Sequence, residues 1–232
     1  MMTVRHAQDR GHANYGWLDT WHTFSFNTYY DPNHAGFRAL RVLNDDVVAP
    51  KTGFGMHPHR DMEILTWVLE GALAHEDSTG GGGIIRPGEL QYMSAGSGIR
   101  HSEFNASETD PVRLLQIWIY PEKNGLPPAY QQASFAPDSL RNQLREVAAR
   151  HPAEGGIAIR QDVRLYVGRL DAGTAIQKEL DSRRYAWLQV AKGSVEVNGV
   201  ALSEGDGAAG AAETALEIRA RSAAEVLLFD LA

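Results

Sequence analysis

Two short stretches each set two metal-capable side chains at positions i and i+2: His57 and His59 in GMHPHRDME, and His101 and Glu103 in RHSEF. Side chains alternate faces along a β-strand, so residues two apart point the same way, about 7 Å from each other. Two such strands meeting inside a barrel would offer three imidazoles and one carboxylate to one ion. Neutral imidazole and carboxylate suit Fe, Mn, Co, Ni, Cu or Zn, and four protein ligands leave coordination positions open for substrate and oxygen. A lone H-x-H is common on surfaces; two i, i+2 pairs beside glycine-rich turns in one half of a chain point to a metal site. Glu63 is a second candidate carboxylate, because His57, His59 and Glu63 form H-x-H-x3-E. It could ligate, orient an imidazole or simply follow a turn into a strand. Glu103 is favoured as the ligand because it shares a short strand with His101.

Eight of the nine histidines precede Pro121, so any such chemistry belongs to the first half of the 232 residues. The absence of cysteine removes zinc–thiolate sites, iron–sulfur clusters and a thiol nucleophile, leaving nitrogen and oxygen donors. A formal charge of −7, with basic residues scattered and Arg183-Arg184 the densest pair, argues against a nucleic-acid surface. No apolar run approaches the roughly 20 residues that span a membrane. The first twenty residues lack the apolar centre of a secretion signal, which makes the cytoplasm the expected location.

The elements that must position these residues read as strands. Twenty-three glycines and ten prolines cut the chain into apolar stretches rich in Val, Ile, Leu, Trp and Tyr, an all-β pattern. Strands are expected at 39–43, 63–69, 114–120, 164–168, 187–191 and 226–231, with turns at Asn124-Gly125 and Asn198-Gly199. The segment 138–148 fits either a helix capped by Asp138 or a turn and a strand, and the second is preferred. The Pro- and Gly-rich stretch Pro121 to Pro137 separates two β-rich halves, suggesting domains at 1–130 and 131–232. EILTWVLEGALAHE and YAWLQVAKGSVEVN share one pattern of strand, charged residue, glycine and strand. Gly-acid turns follow both, as two copies of one barrel unit would produce.

GMHPHRDMEILTWVLEG and PGELQYMSAGSGIRHSEFN resemble the two cupin motifs as they occur in the pirin family, particularly its bacterial quercetinase-like branch. RGHANYGWLDTWHTFSFNTYYDP, FRALRVLNDD and the final LLFDL extend the resemblance over essentially the whole chain. The second motif departs from the general cupin form, which has Pro at Ser94 and two residues between Gly96 and His101, and keeps the longer pirin form. The resemblance implies a bicupin of two antiparallel jelly-roll barrels. Its N-terminal barrel would hold one metal, usually iron as Fe(II), on His57, His59, His101 and Glu103. Aligned on Gly71 and Gly193, the second barrel has Glu179 and Asp181 at the corresponding positions and no histidine pair near Glu213 to Arg219, so it is expected to be metal-free. The implied activity is quercetin 2,3-dioxygenase, which opens the flavonol's central ring with O2 and releases carbon monoxide. Glu103 would then serve as ligand and as general base for the flavonol 3-hydroxyl. The competing function is a non-catalytic metal or redox sensor that binds a protein partner, and a third is an ion that only stabilises the barrel.

Other residues have plainer readings. At least half of Trp17, Trp21, Phe24, Phe26, Tyr29 and Tyr30 are expected in the core or in strand pairing. His22 and His75 are candidate pocket histidines, and Met56 and Met93 candidate apolar lining. Gly80 to Gly83 reads as a hairpin tip and Asp45-Asp46 as a polar turn. His6, His12, His34 and His151 are assigned no role.

Overall fold

A computed structural model describes residues 2–232 and divides the chain into two compact units, Gly11–Ser134 and the segment through Arg10 with Phe135–Ala232. The first strands are β1 (Thr3–Arg5), β2 (Gly11–Asn14), β3 (Leu18–His22), β4 (Leu40–Val48), β5 (Gly53–Glu70) and β6 (Leu73–Asp77). They continue as β7 (Gly82–Ile85), β8 (Glu89–Asn105), β9 (Val112–Ile119), β10 (Ala129–Ser134), β11 (Arg145–Ala149), β12 (Ile157–Ala158) and β13 (Val163–Leu170). The rest are β14 (Ala175–Glu179), β15 (Tyr185–Lys192), β16 (Ser194–Val197), β17 (Val200–Ser203), β18 (Gly207–Ala211), β19 (Ala215–Ala220) and β20 (Ala224–Leu231). This is the expected all-β bicupin architecture, and every strand expected from the sequence is present. No helix among the described residues is long and apolar enough to cross a membrane.

The first unit is built on one antiparallel sheet in the order β2-β3-β4-β9-β5-β8-β6-β7, with β10 paired to β8. Leu18, Val48, Val68, Leu73, Val112 and Leu114 form an apolar cluster in it. Each such buried side chain contributes roughly 1.5–3 kcal/mol. The second unit has a seven-stranded sheet, β1-β18-β15-β20-β13-β11-β12, and a four-stranded one, β14-β19-β16-β17. Its core includes Leu188, Val190, Val195, Ile218 and Leu228.

Main-chain hydrogen bonds draw the unit boundary differently from the composition of the connecting stretch. Within that stretch Ala129–Ser134 is a strand, its residues paired from Ala129↔Ser94 to Ser134↔Glu89, so it belongs to the first unit. Thr3–Arg5 pairs with Gly207–Ala209 and belongs to the second. The ambiguous segment resolves into one helical turn, Pro137–Leu140, followed by β11. Asn198-Gly199, with φ of 47° and 81°, is the two-residue link between β16 and β17 that a hairpin turn of this composition requires. The proposed repeat has a physical echo at Gly71 and Gly193, with φ of 75° and 74°. A Cβ there would stand 2.7 Å from the Pro111 carbonyl oxygen and 2.0 Å from that of Ala223. Both glycines therefore answer the same need for left-handed backbone against a facing strand.

Candidate metal centre

β5 and β8 pair with His57 directly opposite His101, and the register gains one β5 residue between Phe54 and His57. That bulge reverses side-chain parity, so Phe54, His57 and His59 line the same cavity while Met56, expected as lining, is 46 % exposed. Donor atoms of His57, His59 and His101 lie within 4.8 Å of one another, as do those of His75, His101 and Glu103. His101 belongs to both groups and links the four expected ligands.

Hydrogen bonds decide which ring nitrogens are free to ligate. His57 Nδ1 donates to the Gly55 carbonyl at 2.8 Å, which leaves its Nε2 a lone pair. A longer series runs from Asp77 Oδ2 to His75 Nε2 at 3.4 Å, and from His75 Nδ1 to His101 Nδ1 at 3.5 Å. With Asp77 accepting from His75, and His75 from His101, the His101 Nε2 also carries a lone pair. The Nε2 atoms of His57 and His101 stand 3.0 Å apart, close enough to converge on one cation when both present lone pairs. Burial and the neighbouring His57, His59 and His75 lower His101 to about 2, while burial and His57 lower His59 to about 4. Both are neutral at pH 7, the form that ligates. This donor chemistry fits a divalent metal.

Glu103 is 3 % exposed. Gln116 Nε2 donates to its two carboxylate oxygens at 3.1 and 3.0 Å. The Thr66 hydroxyl, 3.1 Å from Gln116 Oε1 and 3.5 Å from Glu103 Oε1, fixes the amide with its NH2 toward Glu103. Burial raises Glu103 to about 7, against the lowering effect of the Gln116 and Thr66 hydrogen bonds. A carboxyl with that affinity exchanges its proton near neutrality. Glu63 is fully buried, accepts the Tyr92 hydroxyl at 2.8 Å and belongs to neither donor group among the described residues.

A cavity of about 350 Å³, within the range that takes a small aromatic ligand, is walled by His57, His59 and Glu103. Tyr15, Leu18, Phe26, Phe54 and Trp118 make its apolar side; Thr20, His22, Asn44, Asp46 and Gln116 make its polar side. Trp118 stands edge-on to His59 with ring centres 4.9 Å apart, and Phe26 stands perpendicular to Trp118 at 5.4 Å. Another hollow, of about 450 Å³ beside His75, Asp77 and Gly80–Gly83, is lined by none of the four expected ligands.

Residues 3–119 match the family model described as Pirin, and residues 146–231 match the Quercetinase C-terminal cupin domain. The chain belongs to the pirin family. It is 50 % identical over 231 residues to a quercetin 2,3-dioxygenase of Escherichia coli K12, covering 100 % of this chain and 99 % of the relative. A pirin-like protein of Caulobacter vibrioides is 43 % identical over 223 residues, 96 % of each chain. The crystal structure of the bacterial pirin YhhW from E. coli in complex with nickel(II) superposes with a TM-score of 0.94 at 50 % identity, covering 100 % of this chain and 99 % of that one.

In this pirin the second unit offers no comparable donor group among the described residues. Glu179 and Asp181 are exposed; Glu179 faces Ala215, and Asp181 pairs with Arg183 at 2.6 Å. Of the candidate pocket histidines, His22 lines the cavity and His75 backs His101. Of the six aromatic side chains from Trp17 to Tyr30, Phe26 alone lines the cavity; Trp17 packs edge-on against Phe54 at 5.1 Å, and Tyr30 is exposed.

Asp45-Asp46 is not a turn: both lie inside β4, Asp45 bound to Arg113 at 2.9 Å and Asp46 in the cavity wall. Burial, aided by Asp45 and Glu103 and opposed by a Thr20 hydrogen bond, raises Asp46 to about 7. Asn44, Asp46, Gln116 and Trp118 were not anticipated as site residues. Their signal was polar or indole side chains two apart within otherwise apolar strands.

Proposed function

We propose that this pirin is a metal-dependent dioxygenase that cleaves flavonols such as quercetin with O2. One observation carries the proposal: His57, His59 and the buried Glu103 stand in the wall of an aromatic-sided cavity large enough for a flat substrate, with His101 beside the other two imidazoles. The name of the E. coli relative supports it. His57, His59, His101 and Glu103 would hold one divalent ion, Fe(II) in our reading, with Zn, Mn, Co, Ni and Cu compatible with the same donors. When bound, the ion supplies Lewis acidity and a path for electrons between flavonol and O2.

The chain's own residues do the rest. Glu103 accepts the proton of the flavonol 3-hydroxyl on a carboxylate oxygen, and the Gln116 amide holds that carboxylate in place. Hydrogen bonds to Gly55 and along the Asp77–His75–His101 series leave the Nε2 atoms of His57 and His101 as the lone-pair donors. Phe26, Phe54 and Trp118 clamp the ring plane and keep water from the reacting carbons.

The test is anaerobic purification with metal analysis, then addition of quercetin and air while flavonol absorbance and carbon monoxide are recorded. Metal-dependent bleaching with one carbon monoxide per flavonol is expected, with a loss of at least about 10²-fold in Glu103→Ala and no activity in His57→Ala. A protein that keeps its metal but leaves flavonols intact overturns the proposal in favour of a metal sensor with a protein partner.

A further inference from the structure

Beside the metal centre the first unit carries positive charge that neither the expected ligands nor the aromatic-sided cavity uses. An open hollow of about 420 Å³ has Pro58, His59, Arg60, Ser78, Ser97 and Arg100 in its wall. His59 lines both this hollow and the aromatic-sided cavity, so one expected ligand separates the two.

The sheet explains the placement. β9 pairs with β5 only from Glu63 onward, which leaves the histidine-bearing stretch of β5 with β8 on one side and a free edge on the other among the described residues. Pro58 stands opposite Arg100, and alternation along the strands turns that pair to the face away from His57, His59 and His101. The register shifts again between His59 and Asp61, and Arg60 is the residue left out of the pairing. Both arginines therefore come to the rim, where the hollow and the cavity share His59.

Their partners are the second observation. Arg60 and Arg100 are exposed, and each gives one N–H to a carbonyl oxygen, of Ser97 at 3.4 Å and of Met56 at 3.3 Å. Neither has a carboxylate partner among the described residues, whereas Arg113, Arg141, Arg169 and Arg184 each have one. Ser78 Oγ accepts the Arg100 main-chain N–H at 3.1 Å, which leaves its hydroxyl proton to donate into the hollow. In a chain of formal charge −7 this is a local reversal of sign, made of donors. A guanidinium fork matches a carboxylate. Two cations are too few to hold a nucleic-acid backbone, whose binding needs many phosphate contacts.

We infer that Arg60 and Arg100 form a carboxylate subsite at the cavity rim that holds the acid group of the ring-opened product. The inference rests on the dioxygenase reading, which supplies the acid. The C2–C3 and C3–C4 bonds of the flavonol break, and C3 leaves with its own oxygen as carbon monoxide. The two atoms of O2 end on C2, as an ester carbonyl, and on C4, as a carboxylic acid; the flavonol is oxidised and O2 reduced. The proton that Glu103 took from the 3-hydroxyl returns to the new acid, which releases it to water at neutral pH. A neutral substrate thus becomes an anion whose carboxylate suits both the metal and the arginines beyond His59.

The experiment uses the full chain loaded with Ni(II) and two probes, the ring-opened acid of quercetin and its methyl ester, with Kd measured by calorimetry. Wild type should bind the acid about tenfold more tightly than the ester at low salt. That ratio should fall about threefold in Arg60→Gln and in Arg100→Gln, approach unity in the double variant, and shrink in wild type as salt is raised. Both side chains are exposed, so metal content and melting temperature should stay at wild-type values. A ratio unchanged in the double variant places the acid on the metal alone and overturns the inference. Equal binding of acid and ester by wild type, or inorganic phosphate bound as tightly as the acid, overturns it as well. Acid selectivity that needs both arginines, in a protein that leaves quercetin intact in air, supports the subsite and sinks the dioxygenase reading alone. Quercetin turnover without such selectivity sinks the subsite alone.

Discussion

Asp46 sets up a stability test with a defined sign. Its carboxyl is held protonated up to about 7, against 3.8 for an unburied aspartate, mainly by burial. Below pH 4 folded and unfolded chains are both protonated. Between about pH 4 and 7 the unfolded chain releases the proton while the folded one keeps it, so unfolding becomes easier as pH rises. Above pH 7 the full cost of a buried carboxylate is in place. A rise of roughly three units, at about 1.36 kcal/mol each, sets an upper limit of ~4 kcal/mol. Asp46→Asn removes the titration and keeps the shape. Its stability relative to wild type should therefore climb by about 2–4 kcal/mol from pH 4.5 to pH 8. Urea denaturation of the metal-free protein, followed by tryptophan fluorescence at several pH values with unchanged m-values, measures this. A difference that is flat with pH would refute the reasoning, since no other Asp46 property depends on its proton.

Other consequences can be checked separately. Gln116→Leu removes the amide donor from both Glu103 oxygens; Glu103 should rise further, and metal affinity in a chelator competition should drop about 10–100-fold. Divalent metal at about 100 times its Kd should stabilise wild type by ~2.7 kcal/mol in thermal melts and leave His57→Ala unmoved. Glu179→Ala with Asp181→Ala should keep one metal per chain by elemental analysis, because both side chains are exposed and without a histidine partner. Gly193→Ala should destabilise the second unit by about 2–4 kcal/mol in denaturant melts, its new Cβ driven against the Ala223 carbonyl at φ 74°.

Much of the fold, and the facing of the candidate ligands along their strands, could be read without coordinates. Alternating apolar stretches between glycines and prolines determine strands wherever one face is buried, and an i, i+2 pair on a strand shares a face whatever surrounds it. His57 with His59, and His101 with Glu103, were legible for that reason. Tertiary structure decided what depends on neighbours distant in sequence. The bulge that turns Phe54 inward with His57 exists only in the pairing of β5 with β8. Residues 129–134 became a strand because β8 offered an edge, and residues 3–5 joined the far unit through β18. Asp45-Asp46 reads locally as a polar turn, since two adjacent acids seldom enter a core. In the sheet one acid meets Arg113 and the other a cavity. Local chemistry specifies which way a side chain points along its own strand; which surroundings it meets there, and how strongly they shift its proton, is set by strands paired across the sheet.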